Sequence, residues 1–164
     1  MPKINIIGEM ERKDEHLSIH YKVSGETDQI VLPALSKSPT RKDDLWKATC
    51  FEFFIAIKDK PKYWEFNMSP SGDWNIYAMD AYRQVNMREE KVFEQLPFEF
   101  ESNNTYLSLN ISVDVSPIIR LEQNLLIGIA TIIQPKDKSQ TYWALTHPTS
   151  QADFHTRESF ILSL

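Results

Sequence analysis

Two stretches of the chain concentrate side chains that can do chemistry. The first, Tyr63 to Arg83, reads YWEFNMSPSGDWNIYAMDAYR and sets Trp64 and Trp74 among Glu65, Asn67, Asp73, Asn75 and Arg83. Aromatic faces flanked by short polar groups suit a flat or hydroxylated ligand, because the ring covers its apolar side while the polar groups take its hydrogen bonds. Large rings are also ordinary core residues, and that reading competes with the first. The second stretch, Thr141 to Phe160, reads TYWALTHPTSQADFHTRESF and gathers Trp143, His147, Asp153, His155 and Arg157.

The spacing of these residues argues against several reaction types. Two histidines and an aspartate raise the idea of a metal site, but they lack the helical HExxH arrangement. A structural role for Asp153 and His155, bonding the loop that re-enters the last strand, needs less. Cys50 stands alone, so neither an internal disulfide nor a thiolate zinc cluster can form. No nucleophile elbow of the GxSxG type is present, and the four glycines are isolated, which excludes a phosphate-cradling loop. Carboxylates are plentiful (Glu52, Glu65, Asp73, Asp80, Asp153), yet spacing singles out no pair for glycoside hydrolysis.

With 41% hydrophobic and 25% charged residues, the 164-residue chain reads as one globular domain over residues 1–164. A net charge of -5 and an isoelectric point near 5.4, without a cluster of basic residues, point away from nucleic acid and acidic membranes as partners. The apolar patch Ile4–Ile7 is too short for a signal-peptide core, and the single cysteine suits a reducing compartment; the expectation is a cytoplasmic protein.

The elements that must position these residues are strands. Period-two alternation marks Leu17–Val23, Phe98–Glu101 and Tyr106–Val115. Leu125–Ile133 is apolar on both faces and reads as a central, doubly covered strand. Cys50–Ile57 puts Phe51, Phe53, Ile55 and Ile57 on a core face, and Cys50, Glu52, Phe54 and Ala56 on a face expected to be covered only in part. Turn signals recur at Gly25-Glu26, Asp59-Lys60-Pro61, Ser69–Asp73, Asn103-Asn104 and Pro135-Lys136-Asp137. This pattern predicts an all-β, antiparallel, jelly-roll-like sandwich with at most short helical turns, as in Arg83–Gln95 and Val115–Glu122.

Strand parity sorts the first stretch. Trp64, Phe66 and Met68 fall on the core side with Phe51 and Phe53, while Glu65 and Asn67 share the face of Glu52. Acids and an amide on one semi-covered face suit a hydrogen-bonding cleft better than a core. Beyond the turn, Trp74, Ile76 and Ala78 share one side and Asn75, Tyr77, Met79 and Arg83 the other. Parity alone does not choose which of the two faces the cleft, because a turn can carry a bulge.

Three segments together resemble the DOMON-like proteins, a group similar to the family 9 carbohydrate-binding modules: Asp44-Leu45-Trp46 with Thr49–Phe54, then Trp64–Asn75 around SPSGDWN, then Asp153-Phe154-His155. The likeness runs from about Asp43 to Leu164 and implies an antiparallel β-sandwich binding a sugar, or in other branches haem, in a cleft on one sheet. It implies tryptophans that clamp the ring, here Trp74 and Trp143 with Trp46 behind them. Glu52, Asn67, Arg83, His147, Asp153 and His155 are then the polar candidates. Met68, Met79, Met87, His147 and His155 could be haem ligands, but no pair can be set across one pocket, so no cofactor is expected. The sequence therefore predicts a non-catalytic module for a carbohydrate or sugar-containing metabolite. The rivals are a hydrolase or lyase using Glu52 or Asp153/His155, and a haem-binding or protein-docking sandwich.

Overall fold

Alternating apolar residues let a strand bury one face and solvate the other, and most of the chain obeys that rule. The computed structural model describes residues 1–137 and 139–164. Its first sheet has four strands in the order β1 (Ile4–Lys13), β2 (His16–Gly25), β8 (Tyr106–Asp114), β7 (Phe98–Ser102). Leu17, Ile19, Tyr21 and Val23 of β2 and Leu107, Leu109, Ile111 and Val113 of β8 are buried on its inner face.

The second sheet carries the order β10 (Thr141–Ala144), β9 (Leu125–Ile133), β3 (Cys50–Ile57), β4 (Tyr63–Met68), β5 (Trp74–Met79), β6 (Arg88–Glu89), and β11 (Leu162–Ser163) also pairs with β9. All named strand pairs are antiparallel. Phe51, Phe53 and Ile55 of β3, Trp64, Phe66 and Met68 of β4, Trp74, Ile76 and Ala78 of β5, and Ile127, Ile129 and Ile133 of β9 meet the first sheet in one core. The result is the all-β sandwich expected from the alternation. Helical structure among the described residues is limited to the 3-10 turns Thr27–Gln29, Leu45–Lys47 and Arg157–Ser159.

The outer face of the second sheet departs from expectation. Every residue of β4 and β5, and all of β3 except half-buried Ile57, is buried. A second apolar layer, Phe54, Ala56, Tyr63, Tyr77, Met79, Ala130 and Phe160, forms outside the sheet, joined by Trp46, Met87 and Phe154 from the loops. Segments 43–49, 80–87 and 145–161 fold over this face and remove it from solvent. Non-periodic loops supply the cover, so alternation within the strands could not reveal it.

Two local features set the edges of that cover. The five-residue turn Ser69–Asp73 carries no bulge: Met68 faces Trp74 and Phe66 faces Ile76 across the hairpin. Gly72 takes φ +93 there, a conformation that favours glycine, and the turn is tied by Ser71 Oγ–H donating to Asp73 Oδ2, with Ser69 Oγ 2.9 Å from Ser71 Oγ. At the other end β5 stops at Met79, and the chain turns through left-handed backbone at Arg83, Gln84 and Asn86. Asp80 holds that loop closed by accepting hydrogen bonds from Asn86 and Arg88.

Candidate functional site

The outer face of β3 and β4 forms the floor of a cavity of about 200 Å3. Antiparallel register places Glu52 opposite Asn67 and Phe54 opposite Glu65, so two carboxyls and an amide lie on adjacent strands of one face. Trp46, Tyr142 and Phe154 supply aromatic walls, and Met87, Gln84, Asp153 and His155 complete the lining. The Trp46 ring meets Tyr77 edge-on at 5.8 Å. Tyr77 is fixed in turn by donating its hydroxyl proton to Asp43 (2.7 Å) and by accepting from Asn75 Nδ2 (2.9 Å).

Several oxygens on this face lack a hydrogen-bond partner. Asn67 Nδ2 donates to Glu65 Oε1 at 2.8 Å, but Glu52 Oε1, Glu65 Oε2 and Asn67 Oδ1 are buried without a partner. These residues are 2%, 3% and 0% exposed, so solvent does not satisfy them. An orphaned buried acceptor costs about 1–3 kcal/mol, so a cluster of them marks a place kept for something other than packing.

Burial also sets the protonation of the floor. It pushes the Glu52 carboxyl well above its ordinary value, and the neighbouring charge of Glu65 pushes it further. Glu65 rises from 4.5 to about 7, through burial opposed by the Asn67 hydrogen bond. Both acids are therefore inclined to hold a proton near neutrality, because two unpaired charges cannot share so dry a face. Tyr21 reaches across from the first sheet and donates to the Glu52 carbonyl oxygen at 2.6 Å, pinning this point of β3.

His155 closes one side. Its Nδ1 lies 3.0 Å from Tyr63 Oη, and its Nε2 lies 3.2 Å from Gln84 Nε2 and 3.6 Å from Glu65 Oε2. Burial lowers its pKa against the raising influence of Asp153, which favours the neutral ring. The Gln84 amide nitrogen can only donate, so His155 Nε2 accepts and Nδ1–H faces Tyr63. A lone pair on Nε2 then looks at Glu65 Oε2, and a proton on Glu65 relieves that contact. Asp153 positions the segment by accepting from Tyr82 Oη (2.7 Å) and from the His155 backbone N–H (2.9 Å).

The sequence-predicted residues divide between this cavity and other places. Glu52, Asp153 and His155 line it, whereas Asn67 stands opposite Glu52 in the register, fully buried and outside the lining. Trp74 lies in the inter-sheet core, with the Arg41 guanidinium stacked at 4.4 Å from its ring. Trp143 packs against the same core and donates its indole N–H to Thr141 Oγ1 at 2.9 Å. Arg83 is exposed in the 80–87 loop beside Tyr82, and exposed His147 lies 6.1 Å from the Phe154 ring at the outer rim. Asp73 of the SPSGDWN turn serves structure: bonds from Lys42, Thr40 and Ser71 outweigh burial and hold its carboxyl below the usual range. Tyr142, Phe154, Gln84 and Met87 were not among the predicted ligand-binding residues; they come from an edge strand and from loops.

Comparison with known proteins places the fold. No family model matches the chain, and no curated protein matches it. Among solved structures, a provisionally assigned carbohydrate-binding protein from Bacteroides uniformis superposes with a TM-score of 0.65 at 14% identity, over 96% of this chain and 77% of that one. At that identity the likeness is one of fold. A family 9 carbohydrate-binding module from Caldicellulosiruptor kristjanssonii, solved with glucose, aligns with a TM-score of 0.42 at 11% identity over 88% of this chain and 67% of that one.

Proposed function

We propose that the protein is a non-catalytic binding module that takes a carbohydrate or a sugar-containing metabolite in the cavity over Glu52 and Glu65. One observation carries this reading: two buried carboxyl oxygens without partners, Glu52 Oε1 and Glu65 Oε2, lie on a floor walled by Trp46, Tyr142 and Phe154. Sugar hydroxyls would donate to those acceptors while the aromatic faces cover the ring's C–H surface. The volume of about 200 Å3 falls below the roughly 300–1,000 Å3 of sites for drug-sized ligands, and fits one sugar ring rather than an oligosaccharide. The description of the Bacteroides uniformis protein as carbohydrate-binding agrees with this reading, as does the DOMON-like resemblance of the sequence.

A second reading has its own observation, a pair of carboxyls with raised pKa values, which is the equipment of a glycoside hydrolase. Glu52 and Glu65 lie side by side on one floor, however, whereas glycosidic cleavage needs carboxyls on both sides of the bond. Calorimetric titration with D-glucose, D-galactose and cellobiose separates the readings. Binding without turnover, weakened about 10- to 100-fold in Trp46→Ala, supports the module. Release of a reducing sugar from a chromogenic glycoside, lost in Glu65→Gln, overturns it.

A further inference from the structure

The cavity floor is selective in the kind of hydrogen bond it can receive. Its free polar atoms are the carboxyl oxygens Glu52 Oε1 and Glu65 Oε2, which are acceptors once those groups are ionised. A sugar hydroxyl brings one donor together with two lone pairs, and those lone pairs need donors in return. Of the donors nearby, one Asn67 Nδ2 proton goes to Glu65 Oε1, one Gln84 amide proton to His155, and the Tyr77 hydroxyl proton to Asp43. A primary ammonium brings three donors, no lone pair and the positive charge that this pair of carboxyls lacks on the lining.

Charge and shape point the same way. The ionisable groups on and around the floor are Cys50 and Glu52 on β3, Tyr63 and Glu65 on β4, Tyr77 on β5, Tyr142 on β10, Asp43 before Trp46, and Asp153 and His155 on the last loop. Among the described residues no lysine or arginine lines the cavity. The Arg41 guanidinium is committed to Asn75 Oδ1 and the carbonyls of Glu90 and Phe93, and that of Arg157 to the carbonyls of Ile57 and Lys60. Aromatic faces at Trp46, Tyr142 and Phe154 attract a cation as readily as they cover a sugar ring.

We propose that the preferred ligand of this cavity is an amino sugar with a free primary amine, its ammonium seated on Glu52 Oε1 and Glu65 Oε2. This rests on the carbohydrate reading above and names the class of sugar. Binding is coupled to proton release: the ammonium enters with its three protons, a floor carboxyl loses one to solvent, and the product is an ammonium–carboxylate pair. A neutral sugar has no such coupling.

The test is calorimetry at pH 6.0 with four probes: D-glucosamine, D-glucose, N-acetyl-D-glucosamine and ethanolamine. D-glucosamine is expected to bind at least tenfold tighter than D-glucose and N-acetyl-D-glucosamine. Its heat, compared across buffers of different ionisation enthalpy, is expected to report release of close to one proton. In Glu65→Gln, which keeps the size of the side chain, the glucosamine-to-glucose preference is expected to shrink by tenfold or more. Equal affinity for glucose and glucosamine, with no proton released, overturns the ammonium assignment and leaves the sugar reading standing. Ethanolamine binding as tightly as glucosamine keeps the ammonium seat and overturns the sugar reading. No binding by any of the four overturns both. The wild-type proton count needs no variant, so a folding defect in Glu65→Gln does not shield the proposal.

Discussion

Replacing Glu65 by Gln is expected to stabilise the protein at alkaline pH and to flatten its stability between pH 5 and 8. The carboxyl has its pKa raised from 4.5 to about 7 in the folded state, so between those values the native protein holds a proton that the unfolded chain has released. Stability falls with rising pH wherever the native state binds more protons, so this contribution is intact below about 4.5 and is lost as the pH passes through 7. A displacement of about 2.5 pH units, at about 1.4 kcal/mol each, is a loss of about 3 kcal/mol by pH 8. Glu52 acts in the same direction over a window reaching higher. His155, whose pKa burial lowers, acts oppositely, gaining stability as the pH rises through 6.5. Glu52 also feels the charge of Glu65, so the substitution relieves part of its displacement and adds to the gain in the same direction. Urea unfolding at pH 5, 6, 7 and 8 should show the variant gaining steadily on the wild type, by about 3 kcal/mol at pH 8. In a thermal scan that corresponds to about 6–12 °C for a domain of this size. If the two curves run parallel from pH 5 to 8, Glu65 is ionised in the native cavity and the account of a dry, proton-holding floor fails.

Other substitutions separate cavity from core. Trp74→Ala removes a ring from between the sheets and the platform under Arg41; a loss of about 3–5 kcal/mol in urea unfolding is expected, and an effect below 1 kcal/mol would place the ring outside the core. Tyr21→Phe deletes the bond to the Glu52 carbonyl oxygen and is expected to cost about 1–3 kcal/mol by the same measurement. Gly128→Ala brings a Cβ to 2.9 Å from Phe160 Cδ1, so overpacking of about 1–3 kcal/mol is expected, with faster hydrogen exchange over Arg157–Leu164; exchange unchanged there would mean that Phe160 yields without cost.

Strand parity carried the reading of the fold and of the floor. Glu52, Glu65 and Asn67 share a face because Phe51, Phe53, Trp64, Phe66 and Met68 demand the other, and register fixes the rest. The same logic extends to Trp74 once the turn is known to lack a bulge, since Met68 then faces Trp74 and Trp74 joins the core. Tryptophan chemistry alone drew attention to Trp74 and Trp143, but their size serves the inter-sheet core, and Trp46 is the indole on the cavity. The walls were hardest to read because Gln84, Met87 and Phe154 sit on segments without periodicity. Their positions depend on left-handed backbone at Arg83 and Gln84 and on the contacts of Asp80 and Asp153, which no local pattern announces.

One strand edge has a consequence for how such a site can change. β10 and β11 share the same side of β9, pairing Ala130–Ile133 and Leu126–Ile127 in tandem. Segment 145–161, which carries Asp153, Phe154 and His155, thus leaves and rejoins the sheet at neighbouring rungs, with its ends held a few residues apart. Closing such a segment costs entropy that grows only slowly with its length, so residues can be added or exchanged within it without moving a rung. The wall is therefore a replaceable cassette on a fixed floor. New ligand preferences could be grafted between Ala144 and Leu162 while the carboxyl pair and the sandwich beneath stay as they are.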